Sequence, residues 1–417
     1  MPLEPQPTIV KGRRAEAPGQ GIFRISPAGK WARRILGVWL FLAVFGDFLA
    51  NEKPLYCRVE SQAFFPILWA YAVDLGLGEW PASLPNRGWR DRAYDAVIWP
   101  PIPWSATTID RQFVRAIGPF STQEEHGWRF RHWLGTDPTG RDVAAGMIRG
   151  ARVALVVGLG SMSIALVMGL WIGACAGYFG DRGLRLAGAW YVAGGAGVFL
   201  TVYFLFVFPA TGGGGGWGIR LMGVLAGLGV SALLGWLLER IAWFGRRRPA
   251  PLDAFALRAL EVLSSLPGLL IALSLLAIVR RPSLGWLVLI IGLLSWTGIA
   301  RFTRAEMMRI RELEYIEAAR AIGLGDWRIL WRHALPNGMR PVFIALAFGI
   351  SGSILMEAYL SFLGIGLPVE EVSWGSMLGE ARGQASAWWL ALFPGLGIFS
   401  MVLAFNLWGE QLADRPA

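Results

Sequence analysis

Side chains that could carry acid–base, metal or nucleotide chemistry are few in this chain, and their spacing limits what that chemistry can be. Three histidines, His126, His132 and His333, have no partner spacing that suggests a zinc site or a catalytic triad, and are expected to be structural or at the surface. Two cysteines, Cys57 and Cys175, indicate neither a disulfide framework nor a metal site, and Cys175 stands inside an apolar run. A phosphate-binding loop needs a lysine after glycine and before Ser or Thr, so that ammonium meets phosphate and hydroxyl meets magnesium. Of the three lysines, Lys11 follows Val10, Lys53 follows Glu52, and Lys30 follows Gly29 but precedes Trp31, so no such loop exists. Any ATP-driven work must draw on another chain.

The most informative polar stretch is EYIEAARAIGLGDWRILWRHALPNGMRP, residues 314–341. Tyr315, Ala318, Ala319 and Ile322 recur at i, i+3, i+4, i+7 and predict one apolar helix face, with Glu314, Glu317 and Arg320 opposite. Gly323 and Gly325 mark a turn, Asp326 is placed to cap a second helix, and Trp327, Leu330, Trp331 and Ala334 repeat the apolar spacing. Pro336, Asn337 and Gly338 are expected to end it. An amphipathic hairpin of this kind either lies on a bilayer surface against its own protein or docks a partner.

The elements around it are membrane spans. The 417 residues are 54% hydrophobic and 16% charged, with 54 glycines and 22 tryptophans, too little polar surface for a soluble protein. A net charge of +10 would raise nucleic acid as a partner in a soluble chain, but the arginines collect beside apolar runs, where the positive-inside bias explains them. At about 20 apolar residues per span, eight spans are predicted, at about 35–50, 151–178, 186–210, 218–243, 258–280, 284–302, 341–363 and 387–408. Residues 1–34, with Lys11, Arg13, Arg14, Arg24, Lys30, Arg33 and Arg34, are expected in the cytoplasm, and the first span begins too late for a cleaved signal peptide. An aromatic region of about 51–150 is expected outside. Arg304, Arg309, Arg311, Arg320, Arg328 and Arg332 place the 303–340 loop inside, and both termini, including 411–417, are expected inside. The same bias places Arg182, Arg185, Arg240 and Arg246 to Arg248 inside, so the third and fourth spans form an out-and-back pair turning at GGGGG, 212–216. Gly169, Gly173 and Gly177 form a small-residue row that lets helices approach closely.

Glu317, Ala318, Ala319, Gly323, Leu335 and Pro336 resemble the EAA loop of ABC importer permeases, with His333 where the general pattern is aliphatic, although the peptide-importer branch commonly has His there. LGTDPTGRDVAAGMIRGAR, with Asp137, Gly140, Arg141 and Asp142, is similar to the signature of the C-type permease subunit of oligopeptide, dipeptide and nickel importers. That pattern has an Arg four residues past its last Asp, where this chain has Gly146, with Arg149 a turn further on. Asp253, Arg258, Glu261 and Pro267, then Ser361 to Gly366 and Ser373 to Leu378, and finally Pro394, Gly395 and VLAFNLWGEQLAD resemble the same branch, so the likeness covers about 133–414. The segment 51–110 looks more narrowly like the microcin-C-type oligopeptide subgroup. Two spans at about 183–252 depart from the six-helix family core, and their expected role is packing or lipid contact.

The resemblance implies an all-α type I importer permease that binds no cofactor itself. ATP and Mg would sit on two partner ATPase subunits, docked through Tyr315, Glu317, Ala318, Ala319, Gly323, Leu335 and Pro336. A second homologous permease, an external solute-binding protein, a peptide substrate and the lipid bilayer of a bacterial inner membrane complete the expected partners. Glu357 lies deep in the seventh span, where a carboxylate costs on the order of 3 kcal/mol and must face protein or a wet cavity. It is read as a structural hydrogen-bonding group at a helix interface, the alternative being a cavity-lining group near a peptide amine. A secondary transporter or membrane enzyme would need repeated ionisable residues in broken helices or a catalytic cluster at one depth, and neither pattern is visible.

Overall fold

The computed structural model describes residues 27–413, except 82–83, 85–87, 91, 124–126, 182–184, 209–216, 242–246, 280–281, 369 and 385. The basic tail before residue 27, His126, Arg182, Arg246 and the GGGGG turn lie outside the described residues. Helix α1 spans Pro27–Val44. A small module follows, in which β1 (Tyr56–Val59) pairs antiparallel with β2 (Gln62–Phe64) and β3 (Ala96–Ile98), and helix α2 covers Pro66–Asp74. The chain then enters α3 (Val143–Phe179), the pair α4 (Gly188–Val202) and α5 (Trp217–Glu239), and α6 (Leu252–Ser265), α7 (Gly268–Ile278) and α8 (Leu284–Ile310). Helix α9 (Glu314–Ala321) opens the hairpin, and α10 (Met339–Phe362), α11 (Trp374–Ala381) and α12 (Trp389–Ala413) close the chain.

Six of these helices are long and apolar enough to cross a membrane, or seven if α6 and α7 make one span, against the eight predicted. The difference has two physical causes. Helix α1 begins earlier than expected and takes Lys30, Arg33 and Arg34 into its first half, so its apolar run is only about ten residues, roughly 15 Å. The predicted span at 258–280 is bent by 84° between α6 and α7. Pro267 starts α7, and Leu266 before it is extended, as a residue preceding proline prefers.

Helix α3 also begins eight residues before its predicted start, so the aromatic region ends at Asp142, whose side chain caps the helix by accepting from the Ala145 amide. That region is more than an interfacial belt. Cys57, Val59, Trp89 and Trp99 form a small core of its own, and Trp104 is buried where the module meets the bundle.

The bundle core lies where α3 and α8 pack along most of their length, with α10, α12 and α1 around them. Gly169, Gly173 and Gly177 make that approach possible. A Cβ at Gly173 would stand 2.5 Å from the Ala300 carbonyl oxygen and one at Gly177 2.4 Å from that of Arg304. Helices α4 and α5 are peripheral, with 17% of each apolar window buried against 50% for α3. Strands β4 (Arg185–Ala187) and β5 (Arg247–Pro249) pair antiparallel and close this excursion at its base.

Candidate docking site and the opposite face

The hairpin is seated on the ends of α3 and α8. Ile316, Ala319, Ile329, Leu330, Ala334 and Leu335 share one buried cluster with Tyr178, Phe179, Met307 and Ile310. Trp327 packs on Phe179 and Trp331 on Trp171, with ring centroids 5.0 and 4.6 Å apart. The Tyr178 hydroxyl meets Asp326 Oδ1 at 3.2 Å, and the Arg320 guanidinium stands over the Tyr178 ring. Asp326 therefore does not cap the second helix as expected. Gly325 occupies that position, and Asp326 instead joins the two arms through Tyr178 and a 3.4 Å contact with Arg320.

The buried face of α9 is also one residue out of phase with the predicted stripe. Ile316 and Ala319 point inward, whereas Tyr315, Ala318 and Ile322 are exposed, Ile322 at 78%. Counting apolar spacing could not distinguish the two stripes, because Leu313, Ile316 and Ala319 recur just as regularly. The residues taken from the resemblance thus divide. Tyr315, Glu317, Ala318, Gly323 and Pro336 are exposed, while Ala319 and Leu335 belong to the seat.

Gly323 adopts φ +83°, a left-handed conformation open to glycine at little cost, and a Cβ there would meet no atom within 4 Å. The turn therefore depends on backbone freedom, and its outer surface is clear. In the second arm, Asp326–Ile329 passes into a π turn, Leu330–Ala334, and a last helical turn, Leu335–Asn337. The run ends at Asn337 before Gly338, as expected, and its last turn contains Pro336. This proline lacks an amide proton and would crowd the carbonyl four residues back, and the wider π turn just before it relieves both demands.

The opposite end of the bundle is held by polar contacts. Asp137 Oδ1 accepts from the Thr139 amide and hydroxyl and from the Arg141 amide at 2.7–2.8 Å, which fixes the turn preceding α3. Gly140, at φ +88°, brings that turn against the Asp110 carbonyl, where a Cβ would stand 2.4 Å away. His132 is fully buried, with Nδ1 2.7 Å from Asp142 and Nε2 3.4 Å from Asp110, so the residue that caps α3 is also tied to the module before it. The sequence carried no spacing signal for this link.

Glu380, on α11, hydrogen-bonds to Asp137, and burial, the Asp137 charge and that hydrogen bond push its carboxyl up to about 7 against the partial opposition of Arg141. Arg149 makes a two-pronged contact with Glu371 at 2.8–3.2 Å. Gly146, in contrast, faces Met377 and Val372, which a larger side chain would have to displace. Arg152 reaches Asp47 at 3.0 Å and the Ala43 carbonyl at 2.8 Å, fastening the end of α1 to α3. Glu357 is 1% exposed and accepts from the Ser361 hydroxyl at 2.7 Å. The Ser373 side chain, which caps α11, also hydrogen-bonds to it, so the carboxyl is enclosed within the subunit, where it joins α10 to α11.

A multi-pass helical bundle with a polar hairpin seated on two of its spans is the architecture of a membrane permease component. Residues 221–416 match the family described as "Binding-protein-dependent transport system inner membrane component". It is 28% identical over 408 residues to the inner membrane ABC transporter permease protein YejE of Escherichia coli, covering 94% of each chain. It is 27% identical to the peptidoglycan transport system permease protein YejE of Agrobacterium fabrum, over 94% of this chain and 90% of that one. A putative peptide transport system permease protein of Brucella suis is 37% identical over 187 residues, 44% of this chain and 61% of its own. The chain is a non-catalytic, multi-pass permease component of an inner-membrane ABC transporter.

Proposed function

We propose that this permease carries oligopeptides inward, as one of two homologous permease subunits, and that the 314–341 hairpin docks a separate ATPase subunit. One observation carries the docking reading: a rigidly seated α9 presents Tyr315, Ala318 and Ile322 outward beside Glu317, an apolar stripe with an acid that the subunit itself leaves uncovered. The arginine-rich loop around it favours the cytoplasmic side, where ATP is available. Two ATPase subunits hold ATP and Mg. Their closure draws the docking helices together and opens the pathway to the outside, where a solute-binding protein delivers substrate, and hydrolysis resets it. A peptidic substrate is supported by the relatives named for peptide and peptidoglycan transport.

The test is Ala318→Arg, which alters the exposed stripe without entering the seat. The expected result is normal membrane insertion with loss of ATPase-subunit co-purification and of labelled-peptide uptake. Retention of both would overturn the docking reading. Loss of co-purification from a transporter that never carried peptide, even with every subunit present, would overturn only the substrate.

A further inference from the structure

Helix α2, in the module that precedes the bundle, turns its apolar side chains the wrong way for a domain surrounded by water. Phe65 at its N-cap, Leu68, Trp69, Ala72 and Leu75 recur at i, i+3, i+4, i+7 and i+10 and form one uncharged stripe. That stripe faces away from the protein, with Leu68 54% and Leu75 73% exposed. Pro66 and Ile67 supply the buried side, and Asp74 lies on the far side of the helix from the stripe. A helix of nine residues draws its stability from packing rather than propensity. Something apolar must therefore meet its outward face.

The depth of α2 identifies what that is. On α1, the Trp39 indole donates to the Ser400 hydroxyl at 3.0 Å, and Ser400 stands near the middle of the apolar span α12. From Trp39 the chain continues in helical form to Leu49, apart from a bend at Phe45, toward the end of the bundle opposite the hairpin. Asp47 is eight residues on, about 12 Å of helical rise, just short of the edge of a hydrocarbon core about 15 Å deep on each side of its middle. The Tyr71 hydroxyl, halfway along α2, hydrogen-bonds to this Asp47 carboxylate, which Arg152 also holds. Helix α2 is thus tied where hydrocarbon gives way to headgroups. Val38, Phe41, Val44 and Phe45 face outward from α1 at the depths below it, so the stripe prolongs the lipid-facing side of a helix whose own apolar run covers only about 15 Å.

The chemistry of the face agrees with that depth. Residues 59–86 contain no Lys or Arg, so attraction to anionic headgroups does not hold this surface. It offers apolar area edged by an indole and a phenol, the composition of an interfacial helix. The Trp69 N–H is already satisfied by the Glu79 carbonyl at 2.9 Å, so the ring can enter an apolar phase without an unpaired donor.

We propose that α2 is a membrane anchor lying in the leaflet opposite the hairpin, with Leu68, Trp69 and Leu75 at the boundary of headgroups and acyl chains, and that it seats the module on the bilayer. The occupant is lipid of any headgroup. This surface is independent of hairpin docking and of what is transported.

The test uses the full-length chain with its co-purifying subunits in phosphatidylcholine nanodiscs. Nitroxide labels at Leu68→Cys and Leu75→Cys, with Asp74→Cys for contrast, read collisions with oxygen, which concentrates among acyl chains, and with a water-soluble nickel chelate. The unsubstituted chain corrects for signal from Cys57 and Cys175. Oxygen collisions should exceed chelate collisions at both stripe positions and fall below them at Asp74, with the stripe labels about 5–10 Å below the phosphates. Exchanging part of the phosphatidylcholine for phosphatidylglycerol should leave these readings unchanged. Should either leucine variant fail to fold, Leu77→Cys, exposed just beyond the helix, should give the same preference for oxygen. Chelate collisions in excess at the stripe would overturn the proposal. So would a stripe shielded from both reagents, the mark of another subunit covering it, or one shielded only after a solute-binding protein is added.

Discussion

The two ends of the bundle are built on opposite plans. At the hairpin end, apolar side chains make the seat, with Ile316, Ile329 and Leu330 fully buried, and a second apolar stripe faces out. At the other end nearly every informative residue is polar and finds its partner inside the subunit: Asp142 with His132, Asp137 with its own turn and Glu380, and Arg149 with Glu371. A surface that has met its own hydrogen-bonding needs serves as a clamp. A firmly seated element that leaves apolar area uncovered has the form of an interface. The motif residues at the two ends, equally conspicuous as sequence, therefore do different work.

The sharpest way to break the clamp is Trp374→Ala. This indole is 1% exposed, donates to the Met147 carbonyl at 3.0 Å and lies on Gly150 and Gly397, joining α11, α3 and α12. Truncation should cost about 3–5 kcal/mol and lower the thermal midpoint of the whole bundle in detergent. A change confined to 363–388 would mean that the clamp is local. Ile316→Ala should come next, at about 2–4 kcal/mol, but at the other end and locally. Amide exchange in Glu314–Ala321 should accelerate while the core stays protected. Tyr315→Ala, on the exposed stripe, should leave exchange unchanged. If both variants accelerate it equally, the division into seat and interface is wrong.

Much of this was legible in the residues, though unevenly. Spans dominated by local apolar content, such as α8 and α10, could be read directly, and so could the small-residue row on α3. Three outcomes could not be read from apolar spacing alone. Which of two equally regular stripes of α9 is buried is decided by Tyr178, on a helix distant in sequence, together with Met307 on the helix just before. The bend at Pro267 needed the extended Leu266 to be weighed above the run of leucines around it. His132 became informative only once the fold set it beside Asp142 and Asp110, at no spacing that a motif would show.

The turn between the hairpin arms gives a smaller effect. Gly323→Val places a β-branched residue at φ +83°, which should cost about 1–2 kcal/mol of backbone strain without a clash. The bundle's thermal midpoint should hold, while peptide uptake and ATPase-subunit co-purification fall together. Unchanged uptake would mean that the arms' relative orientation does not matter to the partner.

The smallest effect concerns the clamp and is read against pH. Glu380 has an ordinary value of 4.5 and stands near 7 in the folded protein, because burial and the facing Asp137 carboxyl disfavour its charge. The folded state therefore holds this proton more tightly than the unfolded state. The stability it contributes is fully present below about pH 4.5 and is lost as pH rises through about 7. Glu380→Gln keeps a hydrogen-bond donor for Asp137 and removes the titration. Thermal midpoints measured from pH 5 to pH 8 should then fall less steeply for the variant than for the parent, with the two nearly matched at the acid end. If Glu380→Gln leaves the slope intact, the two carboxyls do not share a proton, and the turn before α3 is held to α11 by Arg141 and by packing alone.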